Sequence, residues 1–314
     1  MTDEPKISLG KTDIQITPLG IGAWSWGDRL FWGFGSGYGD ADCQTAFDAS
    51  IAAGINFFDT AELYGNGHSE RLLGAFARKS NRSIIIATKF FPYPLRLRRA
   101  SLMPALRASL KRMGLERVDL YQIHQPLPPV AIETWVDALG EAVQAGLTRA
   151  AGVSNYNADQ TRRAFDVLAR RGVPLASNQV KYSLLDRHIE RDGTMDVCRE
   201  LGVTVIAYSP IEMGLLTGKY TPQNPPRGVR GLRYNRQYLE QIQPVIALLR
   251  EIGAAHGGKT PAQVALNWTI CKGTVPIPGA KNARQAEENI GALGWRLTEC
   301  QVAAIDTASE KAQK

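Results

Sequence analysis

Eight short β-branched or apolar runs recur along the 314 residues of the chain, with stretches of helical periodicity between them. The runs are Thr17 to Ala23, Ile55 to Asp59, Ser83 to Thr88, Val118 to Ile123, Thr148 to Val153, Leu175 to Asn178, Val203 to Ala207 and Thr274 to Ile277. Between them apolar residues return every three or four positions, as at Leu102, Leu106, Leu110 and Met113, and again at Ile132, Val136, Leu139 and Val143. Strand then helix, repeated in this way, predicts an α/β fold in which parallel strands close into a (β/α)8 TIM barrel, one domain over residues 1–314. Ahead of the first run, Ile7 to Ile16 alternates about Gly10-Lys11-Thr12, which reads as an N-terminal β-hairpin able to plug the barrel floor. After the eighth run comes an additional C-terminal helix, Thr298 to Ala312.

Composition agrees with one large globular unit, since 44% of the residues are hydrophobic and 21% charged, enough to bury a sizeable core. No run approaches the ~20 apolar residues that span a bilayer, so a soluble, cytoplasmic protein without a membrane partner is expected. Cys43, Cys198, Cys271 and Cys300 lie far apart, with no CxxC pair and no histidine at metal-ligand spacing, and signal neither a disulfide framework nor a metal site. The net charge of +7 comes from scattered arginines rather than a recognition helix. That pattern gives no nucleic-acid partner and instead favours an anionic small ligand. Between the seventh and eighth runs a long connection carries a Pro/Gly/Arg-rich segment, Thr221 to Arg236, which reads as a lid near the barrel mouth. Its arginines at 227, 230, 233 and 236 read as a solvated face, with phosphate contact as the alternative.

In such a barrel chemistry gathers at the C-terminal ends of the strands. Those ends carry Asp59 with Tyr64 in the following loop, Lys89, His124, then Ser154 and Asn155, Gln179, Tyr208-Ser209-Pro210 and finally Pro278-Gly279. Singly, Asp59 could cap a helix, Lys89 could sit on the surface and His124 could be a satisfied core imidazole. An Asp, a Tyr, a Lys and a His at the mouths of neighbouring strands are harder to read that way, because chance placement would scatter them over both ends.

The run Gly54-Ile55-Asn56-Phe57-Phe58-Asp59-Thr60-Ala61-Glu62-Leu63-Tyr64-Gly65 resembles the first signature of the aldo-keto reductase family. The run from Leu110 through Arg117-Val118-Asp119-Leu120-Tyr121-Gln122-Ile123-His124 resembles the second, and Ile277-Pro278-Gly279-Ala280-Lys281 with the helix through Asn289 resembles the third. The resemblance extends over essentially the whole chain. It implies an enzyme that reduces aldehydes or ketones to alcohols by hydride transfer from NADPH, with Asp59, Tyr64, Lys89 and His124 as the catalytic set. Tyr64 would be the general acid, Lys89 would lower the pKa of its phenol, Asp59 would hold Lys89, and His124 would donate a hydrogen bond to the carbonyl oxygen.

For the cofactor, NADP(H), the resemblance places the nicotinamide carboxamide against Ser154, Asn155 and Gln179 and its ring on Tyr208. Ser209, Pro210, Leu215, Gly218 and Lys219 would line the pyrophosphate and ribose, and Gly22, Ala23, Trp24, Asp59, Ile277, Gly279 and Ala280 would complete the cradle. Asn282 with Gln285 reads as a helix N-cap and its partner. An anion is welcome at that helix start, where Lys281 and Arg284 favour the extra phosphate of NADP; Gln285 would also bind the cofactor, and Glu288 and Asn289 would reach the adenine. No GxGxxG follows the first strand, so a Rossmann domain is not supported.

Trp24, Trp26, Phe31 and Trp32 after the first strand, with Phe90 and Phe91 after Lys89, read as an aromatic wall beside Tyr64 and His124, fitted to an apolar carbonyl substrate. Core filling is the plainer reading of those rings. Two other classes fit parts of the pattern: a redox-sensing subunit with the same fold and little turnover, and a barrel hydrolase or lyase using Asp59 and His124. The chain is expected as a monomer or small homo-oligomer.

Overall fold

The computed structural model describes residues 5–93, 96–226, 231 and 234–313. A hairpin opens the chain, β1 (Ile7–Ser8) paired antiparallel with β2 (Gln15–Ile16). Eight strands then form one parallel sheet: β3 (Ile21–Gly22), β4 (Phe57–Asp59), β5 (Ile85–Phe90), β6 (Val118–Ile123), β7 (Thr148–Ser154), β8 (Leu175–Lys181), β9 (Thr204–Tyr208) and β10 (Val275–Pro276). The first and last strands meet, with Gly20 N–H donating to Pro276 O and Gly22 N–H to Pro278 O, each at 3.0 Å, so the sheet closes on itself. A side chain at Gly22 would put its Cβ 2.8 Å from the Ile277 carbonyl oxygen and force that seam apart.

Each expected strand is present, Val118–Ile123 with the expected bounds and the others with shifted ends. The first is only Ile21–Gly22 because Pro18 has no N–H and Thr17 N–H is taken by the Asn56 side chain at 2.8 Å, which removes the leading residues from the ladder. The sixth runs on to Lys181, and its register slips at Ala176, one residue that has no partner on β7. This bulge resets the alternation so that Ser177 and Gln179 point inward.

Around the barrel lie α1 (Asp40–Ala52), α2 (His68–Lys79), α3 (Leu102–Met113), α4 (Ile132–Gln144), α5 (Ala158–Ala169), α6 (Thr194–Leu201), α7 (Arg236–Ala255), α8 (Pro261–Cys271), α9 (Ala283–Ile290) and α10 (Glu299–Glu310). The apolar spacing works as expected, since Leu102, Leu106, Leu110 and Met113 on α3 are all buried. Thr260, Asn282 and Thr298 cap α8, α9 and α10 by accepting a backbone N–H three residues on. Two helices of this set are additions to the strand-helix repeat: α7, inside the long connection after β9, and α10 at the C-terminal end, which pack on each other. Asp306 fastens α10 to the barrel through Trp268 Nε1 at 2.9 Å and Lys272 Nζ at 3.0 Å. Arg227, Arg230 and Arg233 of the expected lid lie outside the described residues; Arg236 begins α7 and pairs with Glu240 at 2.9 Å.

Two apolar layers result. One fills the space between strands and helices. The other fills the lower barrel, where Phe57, Ile85, Ala87, Leu120, Ala150, Ile206 and Val275 meet Leu9, Ile14 and Ile16 of the hairpin, which therefore closes the floor. Ile16→Ala should cost about 2–5 kcal/mol by opening a cavity in that plug. Urea unfolding with an unchanged m-value would register the loss; an unaltered midpoint would mean that the hairpin does not support the barrel.

Candidate active site

Because the strands are parallel, their C-terminal ends open on one face, and that face holds a cavity of about 580 Å³. Asp59 and Lys89 point into the barrel, as do Phe57 and Ala87 two residues before each. Lys89 is fully buried, and its ammonium reaches three acceptors: Asp59 Oδ2 at 2.5 Å, the Thr60 carbonyl at 2.8 Å and the Tyr64 hydroxyl at 3.3 Å. The second carboxylate oxygen, Asp59 Oδ1, accepts from Gln179 Nε2 at 2.7 Å and from Gln122 Nε2 at 3.3 Å. The buried pair is thus hydrogen-bonded on every side, which such a pair needs to offset its desolvation.

The electrostatics follow from this packing. Burial pulls the Lys89 ammonium towards neutrality, but Asp59 and Tyr64 outweigh it and the net shift is upward, so the lysine stays charged. For Tyr64, burial raises the phenol, Lys89 lowers it and Asp59 raises it again, and the net direction is upward. The expectation that Lys89 lowers the phenol therefore holds for the lysine's own effect only: burial and the Asp59 carboxylate exceed it, and the phenol keeps its proton at neutral pH. His124 stands with its ring edge-on to Tyr64, centroids 5.8 Å apart. Burial, and then the charge of Lys89, push its imidazole down to about 3, so it is neutral with a single N–H to donate. Its Nδ1 is buried without a hydrogen-bond partner among the described residues.

Beside this group lies a tray of side chains that orient one another. The Tyr208 hydroxyl donates to Asn155 Oδ1 at 2.9 Å, Asn155 Nδ2 donates to the His124 carbonyl at 3.1 Å and to Ser154 Oγ at 3.0 Å, and Ser154 Oγ donates to the Gln179 carbonyl at 2.7 Å. From there the cavity runs past Gly22, Trp24, Ser209, Pro210, Lys219, Ile277 and Gly279 to Lys281, Arg284, Gln285, Glu288 and Asn289 at the start of α9. Asn282 Oδ1 accepts the Gln285 N–H at 3.1 Å, the N-cap read from the sequence.

Besides Lys89, which reaches Tyr64 from inside the barrel, eight expected residues do not line the cavity: Ala23, Trp26, Phe31, Phe90, Phe91, Leu215, Gly218 and Ala280. Trp26 is fully buried among core residues, with Phe76 at 5.8 Å, and gives its Nε1–H to the Ala280 carbonyl at 2.7 Å. Phe90 packs on Trp135, centroids 4.9 Å apart, since it follows the inward Lys89 and must face the helices. Ala23 follows Gly22 in the same way; Ala280 and Leu215 are also buried outside the cavity, and Gly218 turns against Arg250. Trp24 and Trp32 do line it. Sequence reading also missed Gln122, whose place two residues before His124 puts it on the inner face, and Ser25, Gln125, Met213, Gly214 and Ala262, which line the cavity from loops and from α8. Ala262 had no signal at all, because only the packing of α8 beside the mouth brings it there.

Residues 18–310 match the aldo/keto reductase family. The chain belongs to that family. A chloroplastic pyridoxal reductase of Arabidopsis thaliana is 42% identical, over 98% of this chain and 87% of the relative. An NADH-specific methylglyoxal reductase of Escherichia coli is 30% identical, over 98% and 99%. The solved structure of a thermostable aldo-keto reductase with the inhibitor epalrestat superposes with a TM-score of 0.77 at 31% identity, covering 96% of this chain and 99% of that one. Aldo/keto reductases are oxidoreductases that use nicotinamide cofactors. Among the described residues no helix is long and apolar enough to cross a membrane.

The half-buried imidazole in this aldo/keto reductase makes a stability prediction. Its folded pKa of about 3 lies below the ordinary 6.5, so the unfolded chain takes up the proton first as the pH falls. The stability it contributes is complete above pH 6.5 and is lost towards pH 3, by at most about 1.4 kcal/mol per unit. His124→Gln should flatten the fall in unfolding free energy between pH 6.5 and 4.5. Equal slopes for the two proteins would refute the neutral, desolvated imidazole.

Proposed function

We propose that this aldo/keto reductase reduces aldehydes or ketones to alcohols with NADPH, Tyr64 acting as general acid. The observation that carries the reading is the Tyr64 hydroxyl 3.3 Å from a buried, charge-paired Lys89 at the edge of a cavity that extends to a basic helix start. A dinucleotide suits the residues along it: Ser25 Oγ is buried without a partner among the described residues and lines the cavity, Gly214 has a positive φ of 95° beside Lys219, and α9 presents its N-terminus between Lys281 and Arg284. When bound, the reduced nicotinamide supplies a hydride to the carbonyl carbon. Tyr64 gives its proton to the carbonyl oxygen as charge develops there, and Lys89 steadies the phenolate left behind. His124, held neutral, donates its N–H to the same oxygen and aims the carbonyl. Asp59 keeps Lys89 charged and is itself fixed by Gln122 and Gln179.

Lys281 and Arg284 support NADPH over NADH, because each sets a cation near the place where the two cofactors differ. Trp24, with Phe31 stacked on it at 5.1 Å, and Trp32 give the substrate end an apolar, flat wall. Aromatic aldehydes, pyridoxal among them, are therefore the first substrates to try.

Tyr64→Phe should lower kcat/KM for benzaldehyde by roughly 10²–10⁴-fold, the usual worth of a positioned general acid, while NADPH binding persists. A wild-type protein that binds NADPH and consumes none with any carbonyl would instead identify a redox-sensing subunit. Full activity in the phenylalanine variant would remove Tyr64 from the mechanism.

A further inference from the structure

Lys281 touches the other half of the site. Its ammonium donates to the Trp32 carbonyl at 2.7 Å and lies 4.3 Å from the centroid of the Tyr38 ring and 5.3 Å from that of Trp32. Trp32 and Lys281 both line the cavity, so one side chain spans from the start of α9 to the loop carrying the aromatic wall.

That loop has further anchors at both ends. Asp28 holds its first part, accepting Trp24 Nε1–H at 3.2 Å, Phe31 N–H at 2.8 Å and Trp32 N–H at 3.2 Å. Beyond Trp32 come Gly33, Gly35 and Gly37, all at positive φ and all with open space where a side chain would sit. Leu30 is 92% exposed, so little packing holds the tip. The Tyr38 hydroxyl, donating to the Ser25 carbonyl at 2.6 Å, fixes the far end. In the middle of the loop Phe34 packs on the His68 ring at 5.3 Å, and Lys281 adds a tie at Trp32.

We infer that Lys281 bridges the phosphate that distinguishes NADP from NAD and the Trp32 carbonyl, so that cofactor identity sets the order of the substrate wall. The inference rests on the proposal that the NADP phosphate lies at the start of α9. An ammonium has three N–H donors, so it can serve a carbonyl and a phosphate at once. A phosphate accepting another would pin the ammonium from the opposite side and strengthen its hold on the loop. By linkage, a well-packed substrate then tightens the phosphate in return.

The test is amide hydrogen exchange over residues 28–38 with saturating adenosine 2′,5′-bisphosphate or with AMP, which lacks only the distinguishing phosphate. The amides of Gly33, Phe34 and Gly35 already donate within the loop, to Arg29, Asp28 and Tyr38 carbonyls, and are suitable reporters. Exchange should slow about fivefold with the bisphosphate relative to AMP, the low end of ordinary coupling, and Lys281→Met should abolish the difference. In steady state the wild-type KM for benzaldehyde should be lower with saturating NADPH than with NADH. A bisphosphate that binds more tightly than AMP yet leaves exchange unchanged, or speeds it, overturns the bridge and leaves the cofactor proposal standing; so does slowing that survives in Lys281→Met. Equal affinity for the two nucleotides overturns the placement of the phosphate, and the bridge with it.

Discussion

The ion pair between Lys89 and Asp59 is the constraint around which the upper barrel is arranged. An ammonium and a carboxylate with almost no solvent exposure persist only if each remaining hydrogen-bonding position is filled. Filling them recruits Thr60 from the strand-end turn, Gln122 from β6, Gln179 from β8 and the Tyr64 hydroxyl, which lines the cavity. The polar layer sits on an apolar layer that the hairpin closes from below. A buried charge and a loaded phenol are thus two aspects of one arrangement.

Much of this was legible in the sequence, for physical reasons. Short β-branched or apolar runs and period-three-to-four spacing between them do not depend on distant partners, so strands and helices could be read locally. The residues that end up together, Asp59, Tyr64, Lys89 and His124, were readable because a parallel barrel sends every strand end to one face. The misreadings have the same origin in reverse. Trp26 and Phe90 were taken for a wall because of their residue type, while their neighbours Ser25 and Lys89 hold the inward positions. The bulge at Ala176 changes parity without any glycine or proline to announce it, and the upward shift of the Tyr64 phenol depends on how deeply three groups are buried together, which no single residue encodes.

The two sides of the cavity are built differently. The tray of Ser154, Asn155, Gln179 and Tyr208 is rigid, each member held by another through strand ends. The aromatic wall hangs from one carboxylate, Asp28, and from the cation of Lys281. A fixed surface facing a tethered one suits a reaction in which one reactant is constant and the other varies in shape.

The seam between β3 and β10 joins segments near opposite ends of the chain, and Gly22 and Gly279, which pair across it, both line the cavity. A ribosome delivers these segments many seconds apart, at about 5–20 residues per second. For most of its synthesis the nascent chain therefore carries an open sheet with two unpaired edges and a half-made pocket, and cofactor capture must await the last strand. The site closes only when β10 reaches β3, which leaves the growing chain exposed to edge-to-edge association until then.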